Sequence, residues 1–359
     1  MKTNPKKIIS IVGARPQFIK LAPLSREIRK KHNEIILHTG QHFDKNMSAV
    51  FFEQMGIPEP DVNLGIGLGT HAEQTGKMLM GIEAVYLEEK PDLVIVFGDT
   101  NSTLAGALAA SKLCIPVLHV EAGLRSYDRS MPEEQNRILT DHLSSYLACP
   151  SRKAVRNLEV EGITSNVVNT GDVMYDSVLM FFQKAVDLGL DAYYSERYQP
   201  QSYHLLTIHR PSNTDDPEML KKIITSIGKS DAQFLFPIHP RTRKCMCDFK
   251  LKVPPNIHVI DPAGYLDMLV LIKNADKVVT DSGGLQKEAM FLQTPCLTLR
   301  DCTEWVETVE SGWNSLVIDK KNDLDSAKFY KLLNSEKPKR LKVYPYGRGR
   351  AALNIAELI

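Results

Sequence analysis

The sequence predicts an α/β protein of two doubly wound, parallel-sheet domains, and three observations carry that prediction. Short apolar runs of strand length alternate with helical spacing along nearly the whole chain, the pattern of parallel strands joined by crossover helices. At 359 residues the chain exceeds the size at which one hydrophobic core keeps growing. The period is lost near Asp187 to Ser202, which contains Tyr193-Tyr-Ser-Glu-Arg-Tyr-Gln-Pro-Gln-Ser202, and then restarts. The expected division is a first domain over 1–186, a linker over 187–202 and a second domain from 203.

In order, Lys7-Ile-Ile-Ser-Ile-Val-Gly13 reads as a strand, followed by a helix through Phe18, Leu21, Leu24 and Ile28 and by the strand Glu34 to Gly40. Helical spacing returns in Met47 to Met55 and in Glu73 to Glu89, which leads into the strand Leu93 to Gly98. An Ala-rich helix from Thr100 to Lys112 precedes the strand Ile115 to His119. A helix over Glu133 to Ser145, the strand Leu147 to Cys149, a helix from Arg152 and the strand Val167 to Gly171 follow. After the linker come strands at Leu205 to His209, Phe234 to His239, Ile257 to Asp261, Val278 to Asp281, Pro295 to Leu299 and Leu316 to Ile318. Two such domains imply a ligand cleft between them, lined by loops at the carboxyl ends of the strands.

The balance of 44 basic and 43 acidic side chains gives a net charge of +1, which argues against a nucleic-acid or membrane-surface protein. The first apolar run is too short for a signal-peptide core or a spanning helix, so a cytosolic, soluble protein is expected. Cys114, Cys149 and Cys296 lie in apolar runs and read as reduced core thiols, and Cys245-x-Cys247 lacks the further ligands of a metal site.

Chemistry concentrates at strand ends. Gly13-Ala-Arg15-Pro-Gln17-Phe-Ile-Lys20 is a glycine turn into a helix with two cations, suited to phosphate oxygens or else a plain exposed helix edge. It is neither a Walker loop nor a GxGxxG. Asp99 is either a helix cap or a site carboxylate, while Asp281-Ser-Gly-Gly284 lets a ligand approach backbone amides at a helix start. His209-Arg210 and His239-Pro-Arg241 put two histidines at strand ends, poised to exchange protons near neutral pH. The densest segment runs from His119 to Arg137 and holds Glu121, Asp128, Glu133 and Glu134 with Arg125, Arg129 and Arg137. These groups are either a catalytic constellation or a surface ion-pair network.

Taken in chain order, the loops resemble those of the non-hydrolysing UDP-N-acetylglucosamine 2-epimerases. The resemblance rests on Gly13-Ala-Arg-Pro with Lys20, Gln41-His42, Gly98-Asp-Thr, His119-Val-Glu-Ala-Gly-Leu-Arg125, Met131-Pro-Glu-Glu-x-Asn-Arg137, Thr207-Ile-His-Arg210, Thr280-Asp-Ser-Gly-Gly284 with Glu288, and Arg300-Asp-x-Thr-Glu304. It implies two Rossmann-like domains in a GT-B-like fold, with the nucleotide sugar in the cleft between them. A final helix over 346–359 crosses back to the first domain, so the second domain ends at 345. It further implies that Arg15, Ser282, Gly283 and Glu288 hold UDP, with Glu288 on the ribose hydroxyls, and that Asp99, Glu121, Glu133 and His209 occupy catalytic positions. Lys20, His42, Arg125, Arg137, Arg210, His239, Arg241, Gly284, Arg300 and Asp301 complete the expected substrate-binding set. No NAD and no metal is expected to take part, and the family resembles homodimers.

The family reaction breaks the C1–O bond to UDP, removes the C2 proton to give a 2-acetamidoglycal, and re-adds UDP after reprotonation from the other face. That route needs carboxylates serving as acid and base on two faces of a ring, and cations for the departing diphosphate. Departures from the members acting on plain UDP-GlcNAc occur at Gln17, Phe18 and Thr303-Glu-Trp-Val-Glu307. Gly13-Ala-Arg-Pro-Gln-Phe-Ile-Lys20, Thr39-Gly-Gln-His-Phe-Asp44, Thr70-His-x-x-x-Thr-Gly-x-Met-Leu-Met80 and Asn101-Ser-Thr-Leu-Ala-Gly106 look closer to the branch that epimerises UDP-2,3-diacetamido-2,3-dideoxyglucuronate for O-antigen and capsule sugars.

Overall fold

Strands and helices alternate because the central strands are buried on both faces, which a sheet covered by helices on both sides achieves. Leu93–Phe97, for example, has all of its residues buried. A computed structural model describes residues 4–41, 52, 56–198, 202–321, 323–338 and 343–359. The expected helix over Met47 to Met55, apart from Phe52, and the expected ligand residue His42 lie outside the described residues. The chain divides into two compact units, Met1–Ser177 with Tyr344–Ile359, and Val178–Val343.

In the first unit the strands are β1 (Lys7–Val12), β2 (Asn33–His38), β3 (Val62–Asn63), β4 (Leu93–Phe97), β5 (Val117–Val120), β6 (Tyr146–Cys149) and β7 (Val167–Asn169). They form one parallel sheet in the order β3-β2-β1-β4-β5-β6-β7. The order reverses between β1 and β4, where loops leave the sheet in opposite directions and open a crevice. Ile9, Ile11, Val94 and Val96 pack with Met78, Ile82 and Tyr86 of the helix His71–Glu89 and with Ala105 and Ala109 of Asn101–Lys112. Thr70 caps the first of these helices in a reciprocal box with Glu73.

In the second unit β8 (His204–Thr207), β9 (Phe234–Pro237), β10 (Ile257–Ile260), β11 (Val278–Thr280), β12 (Cys296–Thr298) and β13 (Asn314–Leu316) form a parallel sheet in the order β10-β9-β8-β11-β12-β13. Its switch point lies between β8 and β11. Leu206, Phe234, Phe236, Val279 and Leu297 meet Leu220, Ile223 and Phe329 in its core. β13 lies two residues before the expected Leu316 to Ile318, because Asn314 to Leu316 take up the register with Cys296 to Thr298.

The expected linker over 187–202 contains a helix, Leu190–Tyr198. No clean apolar stripe marks it in sequence. Instead hydrogen bonds anchor it: Tyr194 Oη donates to Asp267 Oδ1 at 3.1 Å, and Asn274 Nδ2 donates to Asp191 Oδ1 at 3.1 Å. The unit boundary falls earlier, inside the helix Val173–Asp187. At the other end Ala351–Ala356 is helical, and the amides of Ala351 and Ala352 donate to the two Asp176 oxygens at 3.0 Å each. Cys149 and Cys296 are buried, but Cys114 is exposed in the turn before β5 with φ 57°, so it is not a core thiol.

Candidate active site

In the first unit, adjacent strands β1, β4 and β5 each end in a loop bearing ionisable groups. After β1, the Gln17 side chain is 1% exposed and fully engaged. Its Oε1 accepts from the amides of Gly13 (2.7 Å) and Ala14 (2.9 Å), and its Nε2 donates to Phe97 O (2.8 Å) and the hydroxyls of Thr100 and Thr103. Gln17 therefore ties the β1 turn to the end of β4. Phe18 is buried edge-on to His38 and Phe52. Arg15 stands exposed at the first position of the helix Arg15–Ile28.

After β4, Thr100 caps the helix Asn101–Lys112 by accepting from the Thr103 amide, so the cap role considered for Asp99 belongs to its neighbour. Asp99 instead receives Arg137 Nη2 on its carboxylate and Asn136 Nδ2 on its carbonyl, the latter at 2.9 Å. After β5, Glu121 takes φ 74°, a conformation a residue with a Cβ adopts only when its surroundings enforce it. Its carboxylate pairs with the Lys20 ammonium, and both groups border Gly98, itself at φ 64°.

The adjacent glutamates of the next helix, Pro132–Leu143, part company. Glu133 is exposed in its first turn, whereas Glu134 is 1% exposed and accepts from the amides of Ser126 (2.8 Å) and Tyr127 (2.9 Å) and from Arg137 Nη1 (2.8 Å). Burial alone would raise the Glu134 pKa, but those donors hold it below the usual range. Arg125 is enclosed as well: Nε and Nη2 meet Glu161 at 2.6 and 2.7 Å, and Nη1 meets Asp141 at 2.7 Å. With its side chain 1% exposed, its guanidinium is spent on holding the loop. Sequence reading did not single out Asp141 or Glu161, which lie 16 and 36 residues from Arg125, and no local signal marks either as its partner.

In the second unit Asp281, 0% exposed, organises the switch point. It accepts from the amides of His209 (3.0 Å) and Arg210 (3.0 Å), from Asn213 Nδ2 (3.0 Å) and from His209 Nδ1 (3.2 Å). Burial pushes its pKa up, but the His209 and amide contacts outweigh burial and hold it low. The His209 and His239 rings lie 6.0 Å apart. His239 caps the helix Pro240–Asp248 by accepting from the Arg241 amide at 3.2 Å, and burial, His209 and Arg241 lower its pKa. Arg241 turns to Asp215 at 2.6 Å, an exposed pair.

Beside this, the helix Gly283–Phe291 begins after Ser282. Arg300 Nη1 meets Glu304 Oε2 at 3.0 Å, and the Arg210 guanidinium is pushed below its usual range by burial and by Arg300. A Cβ on Gly283 would fall 2.7 Å from Glu304 Oε1, whereas one on Gly284 would meet nothing within 4 Å. Arg210 and Arg300 and the helix amino end place positive charge here, and a Cβ on Gly284 would find no neighbour, features that suit an anion. Glu288 is buried in that helix, while Asp301 is exposed. Trp305, one of the substrate-suggesting departures, is 8% exposed with the Lys287 ammonium 3.7 Å from its ring centroid. Among the described residues, no group of three or more His, Cys, Asp or Glu side chains is placed to hold a metal, and no helix is long and apolar enough to cross a membrane.

A family model described as UDP-N-acetylglucosamine 2-epimerase matches residues 26–359. A Methanococcus maripaludis relative named UDP-N-acetylglucosamine 2-epimerase homolog is 50% identical over 359 residues, covering 98% of this chain and 99% of its own. The UDP-2,3-diacetamido-2,3-dideoxy-D-glucuronate 2-epimerase of Pseudomonas aeruginosa is 52% identical over 320 residues, covering 87% and 88%. The Methanocaldococcus jannaschii UDP-GlcNAc 2-epimerase solved with UDP-GlcNAc and UDP aligns with TM-score 0.83 at 45% identity, covering 99% of each chain. The glycosyltransferase VinC, at 13% identity, 98% and 94% coverage and TM-score 0.53, shares the fold alone. With motifs, fold and relatives in agreement over almost its whole length, this chain belongs to the UDP-N-acetylglucosamine 2-epimerase family.

Proposed function

We propose that this isomerase inverts C2 of a UDP-2-acetamido sugar without hydrolysing it. The observation that carries the reading is the grouping of Asp99 and Glu121 at the ends of neighbouring strands β4 and β5, with Glu133 on the next helix. Carboxylates in that number exceed what binding a dianion needs, and they match a reaction that removes a proton from one face of a ring and returns one to the other. In this reading Asp99, Glu121, Glu133 and His209 are the catalytic groups. Arg15 binds UDP, and Arg210, Arg300 and the amides after Ser282 hold the diphosphate as the C1–O bond breaks, with Glu288 on the ribose hydroxyls. The electron pair of the C2–H bond forms the C1=C2 bond of the glycal and UDP leaves; addition of UDP to C1 and a proton to C2 reverses the step. The chemistry is proton transfer and elimination, so the reading assigns no role to NAD or a metal.

Family membership further supports a cytosolic homodimer that makes a precursor for surface polysaccharide such as O-antigen or capsule. Relatives named for UDP-GlcNAc and for the 2,3-diacetamido uronate are about equally similar, so both sugars belong in the test. In deuterated water, with either UDP-sugar, epimerisation places deuterium at C2 of a product still joined to UDP. Free UDP and free sugar as main products would make the chain a hydrolysing epimerase instead, and transfer to an acceptor would make it a glycosyltransferase.

A further inference from the structure

His119, on β5, has a side chain that is 0% exposed, with both ring nitrogens engaged: Nε2 lies 2.7 Å from Gly98 O and Nδ1 lies 2.7 Å from Asp141 Oδ1. A carbonyl oxygen can only accept, so Nε2 donates there. Asp141 is equally buried and also accepts from the Gly123 amide at 3.1 Å and from Arg125 Nη1 at 2.7 Å. Gly98 immediately precedes Asp99, and Gly123 closes the turn that begins at Glu121. Both glycines have positive φ, 64° and 78°, a region in which glycine alone moves freely.

We propose that His119 and Asp141 are positioning residues for the epimerisation, tethering the Gly98 carbonyl to the Glu121–Gly123 turn so that the Asp99 and Glu121 carboxylates keep one mutual placement. The inference rests on the proposed reaction, in which these two carboxylates act on the same ring. The chain Gly98 O, His119, Asp141, Gly123 N runs between the two carboxylate-bearing loops through buried contacts of 2.7 to 3.1 Å. No ligand contact is needed for its effect. A displacement of about 1 Å in a reacting group can cost on the order of a hundredfold in rate.

Two near-isosteres separate this role from simple core packing. The Nδ2 of His119→Asn can reproduce the Nδ1 contact to Asp141, whereas the Nε2 of His119→Gln can reproduce the contact to Gly98. Each variant therefore interrupts the tether at one link, and with whichever of UDP-GlcNAc or the 2,3-diacetamido uronate the wild type turns over, each is expected to lower kcat on the order of a hundredfold. KM and UDP affinity by calorimetry should stay near wild type. Wild-type kcat in either variant, or a fall in kcat accompanied by an equal weakening of UDP binding, would overturn the inference. If neither histidine variant folds, Asp141→Asn supplies the test: reduced kcat with unchanged UDP affinity supports the tether, and unchanged kcat overturns it. A wild type that places no deuterium at C2 of a UDP-linked product would instead sink the epimerase reading itself.

Discussion

The Lys20 ammonium lies against the Glu121 carboxylate, with side chains 9% and 7% exposed. The pair joins residues 101 apart in sequence, across the ends of β1 and β5 with β4 between them. Lys20 was expected among the substrate ligands; the structure pairs it with a carboxylate expected to be catalytic. Removing one member of a buried pair costs about 3–5 kcal/mol, since the other charge stays in place. Lys20→Met should therefore lower the urea midpoint, and Lys20→Met combined with Glu121→Gln should recover much of that loss. Strict additivity in the double-mutant cycle would show that the two do not act as a pair.

Turnover is expected to depend on Glu121 and Glu133 far more than binding does. Loss of a general acid or base lowers rate by about 10² to 10⁴. Glu121→Gln and Glu133→Gln should show such losses in initial rate while calorimetry records UDP binding close to wild type. Near-normal rates in both would leave the segment as a structural ion-pair network that holds the loop.

Methyl groups at Gly283 and Gly284 test whether the diphosphate sits at this helix start. In Gly284→Ala the new Cβ meets nothing within 4 Å, and replacing a helical glycine stabilises by about 0.4–1 kcal/mol. Its melting temperature should hold or rise while UDP affinity falls, because the added carbon occupies the space over the helix amino end. Gly283→Ala, whose Cβ would fall 2.7 Å from Glu304 Oε1 at the end of a part-exposed side chain, should shift that carboxylate with little change in melting temperature and lower UDP affinity. UDP binding unchanged in Gly284→Ala would move the diphosphate away from this helix.

Asp176 makes stability depend on pH. Burial raises its pKa to about 6 from the usual 3.8, against the opposing amides of Ala352 and Ala351. An unfolded chain releases this proton near pH 4 and the folded one near 6, so between them the folded state binds more protons. Its contribution to stability therefore falls as pH rises through that window. A carboxyl pKa raised by one pH unit corresponds to about 1.4 kcal/mol. Asp176→Asn removes the titration, so the melting temperature of the variant relative to wild type should move in the variant's favour between pH 4 and pH 7. A constant difference across that range would show that Asp176 does not carry the effect.

Much of this molecule is legible in its sequence. Apolar runs alternating with helical spacing are a local property, and they determined two parallel-sheet units with polar loops at their strand ends. The ordered motifs determined the family. What local pattern could not determine was the partner of each charged group. Glu133 and Glu134 are chemically alike and adjacent, yet a turn of about 100° per helical residue sends one to solvent and the other under Ser126 and Tyr127. Gln17 and Trp305, read as marks of substrate choice, are buried, one tying strand ends together and the other carrying the Lys287 ammonium on its ring. Arg125 and Arg137, read as ligands, are committed to Asp141, Glu161, Glu134 and Asp99. Strand order explains the difference: β1 lies beside β4, and β4 beside β5, only after the chain has crossed over the sheet. The crossovers bring Lys20 and Asp99 to the His119–Glu121 segment from positions far away in sequence, so tertiary structure alone decided which charged groups pair with one another and hold the loops.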